Sequence, residues 1–204
     1  MTITDKHFKV IKYSLISLLI FFVFAILGVV YSRLRWEEAG QFFLELGEQF
    51  SFIQDFGLWS IFLFIFINNT ITVFIASLTG VFLGVVSVFI LIVNGFLLGV
   101  VSGYTYPALG FSGLFFSLAP HGIFEFPALF IGTGLGMNLG FSTYKEIKKG
   151  NLTLKKAYNR IRKLRFPSKK VKEDYFFTFE VLFKIVTPLL LVAALIEAYL
   201  IYFL

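Results

Sequence analysis

The stretch APHGIFEFPA, residues 119–128, sets a histidine and a glutamate four positions apart between two prolines. If Pro120 to Ala128 is helical, His121 and Glu125 share one face, about one turn apart. An imidazole and a carboxylate so placed can relay a proton, help hold a cation, or clasp one another. Each charge at a bilayer centre costs roughly 2.5–3.5 kcal/mol on insertion scales, so both must face inward and find partners. Asn68, Asn69 and Asn94 are the candidates. A closed zinc site normally takes four ligands. Metal binding by His121 and Glu125 would therefore need asparagine oxygens or a second protomer. Clasp, permeation site and metal site all stay open; no cofactor is required, and a metal ion is possible.

The prolines constrain the backbone around this pair. Pro120 cannot donate to the carbonyl of Phe116, nor Pro127 to that of Ile123. Hydrocarbon offers no water to satisfy those carbonyls. The expectation is a helix broken or re-entrant at Pro120. A half-helix starting there would point its N-terminus into the bundle, the geometry of mid-membrane ion and substrate sites.

Other chemistries find less support. There is no cysteine, which removes disulfides, thiolate zinc sites and thiol catalysis. HGIFE lacks the second histidine of HExxH, and the glycine runs lack the Gly-Lys-Ser/Thr of a phosphate loop. No Ser/His/Asp set has workable spacing. The chain reads as no enzyme, with an unusual intramembrane hydrolase as the exception.

The elements that position these residues follow from hydropathy. Hydrophobic residues make up 58% of 204, charged residues only 15%, and the mean hydropathy is +0.86. A soluble domain carries about 25% charged residues. The fold class is all-α, a polytopic membrane helix bundle forming a single membrane domain over 1–204. Spanning segments are predicted at 13–31, 57–78, 80–104, 112–140 (the broken one) and 176–204, about five in all. The first is too long for a signal-peptide core and lacks a small-x-small cleavage pattern. Residues 36–55 place Trp36, Ala39, Phe43, Leu46, Phe50 and Ile53 at helical spacing with glutamates between. That predicts an amphipathic interfacial helix, resting as a lid on the bundle.

Residues 141–175 form a basic segment, with a helix expected from Asn151 to Leu164 and stopped by Pro167. Lysine and arginine near helix ends mark the cytoplasmic side. Lys6, Lys9 and Lys12 put the N-terminus there, and five crossings put the basic segment there too and the C-terminus outside. The glycines Gly95, Gly99, Gly103 and Gly132, Gly136, Gly140 recur every four residues, which suits close helix packing. Glu180 and Lys184 form a structural i,i+4 pair, and Glu197, near the outer end, is expected to reach headgroups.

The order FINNT, a glycine-rich helix, NGFLLG, then APHGIFEFPA and a glycine run resembles the stage II sporulation protein M family over roughly Phe62 to Gly140. That resemblance implies a five-helix integral membrane protein, with Asn69, Asn94, Pro120, His121, Gly122, Glu125 and Pro127 as signature positions. It also implies a relation to a namesake that helps assemble a membrane complex with the stage II proteins D and P, which remodel peptidoglycan during engulfment. Family members occur in organisms that make no spores. The leading expectation is a membrane scaffold or assembly factor with a His–Glu–Asn polar cluster. The alternative is a small ion- or proton-coupled transporter or channel using His121 and Glu125. Expected partners are the lipid bilayer and other membrane or cytosolic proteins, with a homodimer possible and no nucleic acid.

Overall fold

The computed structural model describes residues 3–54, 57–149 and 168–203, without the side chains of residues 3–5, 46, 49–54 and His121. The helix expected over Asn151–Leu164 lies outside the described residues. Six α-helices are described: α1 (Ile3–Leu34), α2 (Trp36–Gln54), α3 (Leu58–Leu78), α4 (Val85–Lys148), α5 (Lys169–Val181) and α6 (Thr187–Phe203). A 3-10 turn, Thr79–Val81, links α3 to α4, and a π-helical turn, Leu182–Val186, links α5 to α6. Five stretches are long and apolar enough to cross a membrane: Lys6–Leu34, Leu58–Val81, Val85–Pro120, Gly122–Lys148 and Lys169–Phe203.

The interruption expected at Pro120 is absent, and the chain reverses at Gly110, within the connection left between the predicted spans 80–104 and 112–140. Backbone angles inside α4 are helical through Pro107, Pro120 and Pro127 and leave the helical region only at Gly110, with φ 67° and ψ −176°. The reason is steric. Proline removes one hydrogen bond but its fixed φ is helical. Gly110 occupies a region that essentially only glycine visits. There α4 turns back on itself. Gly103 meets Val29 and Ser32 of α1, while Phe126 and Phe130, further along α4, meet Phe21. The first arm of α4 (85–109) therefore runs parallel to α1, and the second arm (111–148) antiparallel to it.

The remaining directions follow from contacts. Gly132 lies against Val73 and Gly136 against Ala76, so α3 runs parallel to the second arm. Ile61 and Ile65 of α3 pack with Ala194 and Ala198 of α6, and Phe74 with Phe183, so those segments are antiparallel. One end of the bundle gathers Lys6, Lys145, Lys148 and Lys169 with the α3–α4 turn; the other gathers Gly110, α2 and Phe203. The core joins Phe21, Val73, Leu91, Leu135, Leu182 and Leu190, drawn from every crossing.

Glycine sets the helix spacing at these contacts. A methyl on Gly95 would overlap the carbonyl of Phe21, on Gly99 that of Ala25, and on Gly103 the hydroxyl of Ser32. On the second arm, a methyl on Gly136 would overlap Ala76 and Ser87, and one on Gly140 the backbone of Leu83 and Gly84. Gly80 in turn packs against Gly136. The connection from α3 to α4 is thus seated on the glycine stripe, with Leu83 and Gly84 both at positive φ, 62° and 72°. Hydroxyls fill the same seams. Ser77 donates to the carbonyls of Val73 and Gly132, and Ser87 to that of Ala76 at 2.6 Å.

The π-helical turn has a local cause. Pro188 has no N–H for the carbonyl of Lys184. The chain widens by one residue there, so the N–H of Thr187 donates to the carbonyl of Leu182, and the Thr187 hydroxyl donates to it as well, at 2.9 Å.

The amphipathic α2 rests on the first arm of α4. Ala39 is buried, Gly40 faces the ring of Tyr104, and Trp36 and Phe43 lie 4.6 and 5.5 Å from that ring. Its start is tied to α1. Glu38 accepts from Tyr31 at 2.8 Å and from Arg35, whose Nε is 2.9 Å away. Hydrogen bonds from Arg35 and then Tyr31 hold the Glu38 carboxyl below its ordinary pKa.

Two outcomes follow from this packing. Gly136→Ala should destabilise the protein by about 1–3 kcal/mol, the range for overpacking a tight contact, seen as a lower unfolding midpoint in detergent. Gly47→Ala, where a methyl meets nothing within 4 Å, should not lower it. Separately, a carboxyl with a depressed folded pKa stabilises the fold above its unfolded value, about 4.3, and that contribution is lost as pH falls through the folded value. Trp36 fluorescence in a Trp59→Phe background should therefore report α2 loosening only below about pH 4. Arg35→Gln should move that change up in pH and make it smaller.

Candidate functional site

Phe21 marks a level near the middle of α1 where the chemistry-bearing residues converge. Phe126, one residue after Glu125, has its ring 5.4 Å from that of Phe21. Gly95, one residue after Asn94, packs on the Phe21 backbone. Val73 of α3 packs on Gly132, and because α3 runs parallel to the second arm, Phe66, two turns before Val73, lies level with Glu125. Glu125, Asn94 and the polar run of α3 therefore occupy a common layer inside the bundle.

Within that layer the side chains part company. Glu125 is partly buried on the second arm. Glu197 of α6 is also partly buried and lies within electrostatic range of Glu125. Glu197 was expected to reach headgroups, but its helix face decides otherwise. Leu190, Ala193, Ala194 and Ala198 are fully buried, and Glu197 stands one turn from Ala193 and Ala194 on that same stripe. The alanine spacing was the signal that could have placed it inward.

The asparagines do not close around Glu125. Asn94 Nδ2 donates to the carbonyl of Ile90 in its own helix, at 2.8 Å. Asn68 is exposed, and its carbonyl accepts from the Thr72 hydroxyl at 3.0 Å. Asn69 is partly buried. Among the described residues, no hydrogen bond joins any of the three asparagines to Glu125. The inward member of the α3 run is Thr70, whose hydroxyl oxygen is buried without a hydrogen-bond partner. The backbone at His121 is helical, which keeps it in register with Glu125, but its side chain lies outside the described residues. Also among the described residues, no group of three or more His, Asp or Glu side chains could hold a metal ion.

A second polar knot sits at the basic end. Ser142, Thr143, Glu146, Asp174 and Thr178 are all buried, Asp174 to 2% exposure. Ser142 donates to an Asp174 carboxylate oxygen at 2.5 Å, and the Thr178 hydroxyl donates to the Asp174 carbonyl at 2.9 Å. This bond ties the end of α4 to the start of α5. Asp174 falls inside the segment predicted as basic over 141–175. Its buried neighbours Val171, Thr178 and Val181 stand at spacings of three and four, and that stripe was the available clue.

The arrangement so described, a helix pair reversing at Gly110 with a partly buried carboxylate on its second arm, coincides with a known sequence pattern. A family model for Stage II sporulation protein M matches residues 17–200. The chain belongs to that family. The match takes in α2, the Asn68–Thr72 run, Asn94, the 119–128 segment and Glu197, so both carboxylates of the central layer fall inside the Stage II sporulation protein M match. Searches of curated proteins and of solved structures return no match. With its apolar crossings, this Stage II sporulation protein M family member is membrane-embedded.

The Ser142–Asp174 bond can be measured directly. Asp174→Ala should cost about 1–3 kcal/mol, because a buried hydroxyl loses its acceptor. A double-mutant cycle with Ser142→Ala should show a coupling of at least about 0.5 kcal/mol in unfolding free energy. Additive effects would mean the two side chains act independently.

Proposed function

We propose that this protein is a membrane scaffold, a fixed framework on which other membrane components assemble. The observation that supports this best is the bundle interior. Helix backbones meet closely at Gly95, Gly99 and Gly136, while small side chains fill the seam at Gly103 and Gly132 and the α3–α4 connection sits on Gly140. Such seams rely on van der Waals packing, which is lost on small separations. A body locked this way suits a frame better than a device whose halves rock around a central site. The lateral faces carry large exposed apolar residues, among them Phe111, Phe115, Phe116 and Ile123 on the second arm, available to lipid and to neighbouring proteins. No catalytic chemistry is assigned. We place the basic end in the cytoplasm, following the distribution of lysines.

A second reading is favoured by the Glu125–Glu197 pair. Like-charged carboxylates inside a bundle are costly unless a proton or cation is shared between them. That would suit a coupled transporter or channel.

Reconstitution separates the two. As a scaffold, the purified protein in liposomes should give no more proton or alkali-cation flux than empty liposomes. Photo-cross-linking groups at Phe115 and Phe116, in native membranes, should trap other integral membrane proteins. A pH-dependent flux abolished by Glu125→Gln or Glu197→Gln would instead establish transport and overturn the scaffold reading.

A further inference from the structure

Two cavities at the basic end are halves of one cleft. The outer half, about 590 Å³, opens between α1 and α5 and is lined by Lys6, Lys169, Lys172 and Lys184, with Glu173 and Glu180. The inner half, about 700 Å³, lies between α1, the second arm of α4 and α5, and is walled by Val10, Leu15, Leu18 and Phe22 facing Ile123 and Phe130. His7, Phe177, Val181 and Ile185 line both, so the two are continuous.

The charges in the outer half are not mutually satisfied. Lys184 is paired with Glu180 at 2.6 Å. Among the described residues, Lys6, Lys169 and Lys172 make no ion pair. Instead Lys6 lies 5.6 Å from the centre of the Phe177 ring and Lys172 5.8 Å from that of Phe176. Three ammonium groups thus border one opening with Glu173 as the single unpaired acid. Below them the walls are apolar. From Lys6 to Phe22 the cleft follows α1 for about 24 Å at 1.5 Å per residue. Half a bilayer with its headgroup region is about 20–22 Å thick.

We propose that this cleft binds one acidic phospholipid, its phosphate against Lys6, Lys169 and Lys172 and an acyl chain along α1 and the second arm. Charge complementarity identifies the occupant. A free anion has no use for the apolar half, and a zwitterionic lipid brings its own cation to an opening that already holds a surplus. The site does not depend on whether the bundle is a scaffold or a transporter.

The test is native mass spectrometry of the full chain in detergent, titrated with phosphatidylglycerol or phosphatidylcholine of equal chain length. One phosphatidylglycerol should be retained in preference to phosphatidylcholine. The double change Lys6→Gln and Lys172→Gln should reduce its retention about five-fold per lysine removed. The control, Lys148→Gln with Lys149→Gln, removes two exposed lysines at the same end but outside the cleft, and should change it less than two-fold, by the small effect expected of unspecific screened charge. Leu15→Trp, at an exposed position that fills the apolar half, should reduce binding of both lipids while the unfolding midpoint is unchanged. Equal retention of the two lipids, or equal losses in the cleft and control variants, would overturn the proposal.

Discussion

Backbone-to-backbone approach at glycine is the constraint from which the other features follow. Between helices in lipid there is no water to expel, so association depends on close packing and a few hydrogen bonds. Here α1 meets the first arm of α4 at Gly95, Gly99 and Gly103, and α3 meets the second arm at Gly132 and Gly136. At such distances even small side chains must do a specific job. Ser77, Ser87 and Thr133 return their hydroxyls to backbone carbonyls, and Thr133 lies 3.1 Å from the Ser17 hydroxyl. The strained connection at Leu83 and Gly84 is held because it sits on the same stripe, against Gly140.

Polar groups divide into two layers with different physics. At the basic end Asp174 is buried but accepts from Ser142, so its desolvation is compensated. In the central layer Glu125 and Glu197 are two partly buried carboxylates within electrostatic range of one another. The first arrangement fastens helices; the second places two acids within electrostatic range without a hydrogen bond between them among the described residues. The central layer is therefore where scaffold and transport readings differ most, while the basic end behaves as structure and as a lipid-facing surface.

The crossing count was legible because each segment is apolar over a span's length, a property of composition. The amphipathic α2 was legible because its apolar residues recur at three and four. The reversal in α4 falls in the gap left between the predicted segments 80–104 and 112–140, but the further break expected at Pro120 is absent for a physical reason. Two prolines near one histidine suggested an interruption, yet proline's own φ is helical, and the chain reverses at Gly110, inside the connection expected between the third and fourth spans. The inward turn of Glu197 was encoded in the buried alanines of α6, but reading it required knowing that this face, not another, meets α3.

The sequence by itself determined a membrane-embedded helical bundle and its family, because hydropathy, spacing and motif order are local properties. Only the tertiary structure decided which side chains meet: Asp174 with Ser142, Lys6 with Phe177, and Asn94 with its own helix rather than with Glu125. The first two pairings join residues far apart in the chain, and they depend on how the glycine seams rotate each helix about its axis, which no single helix specifies alone.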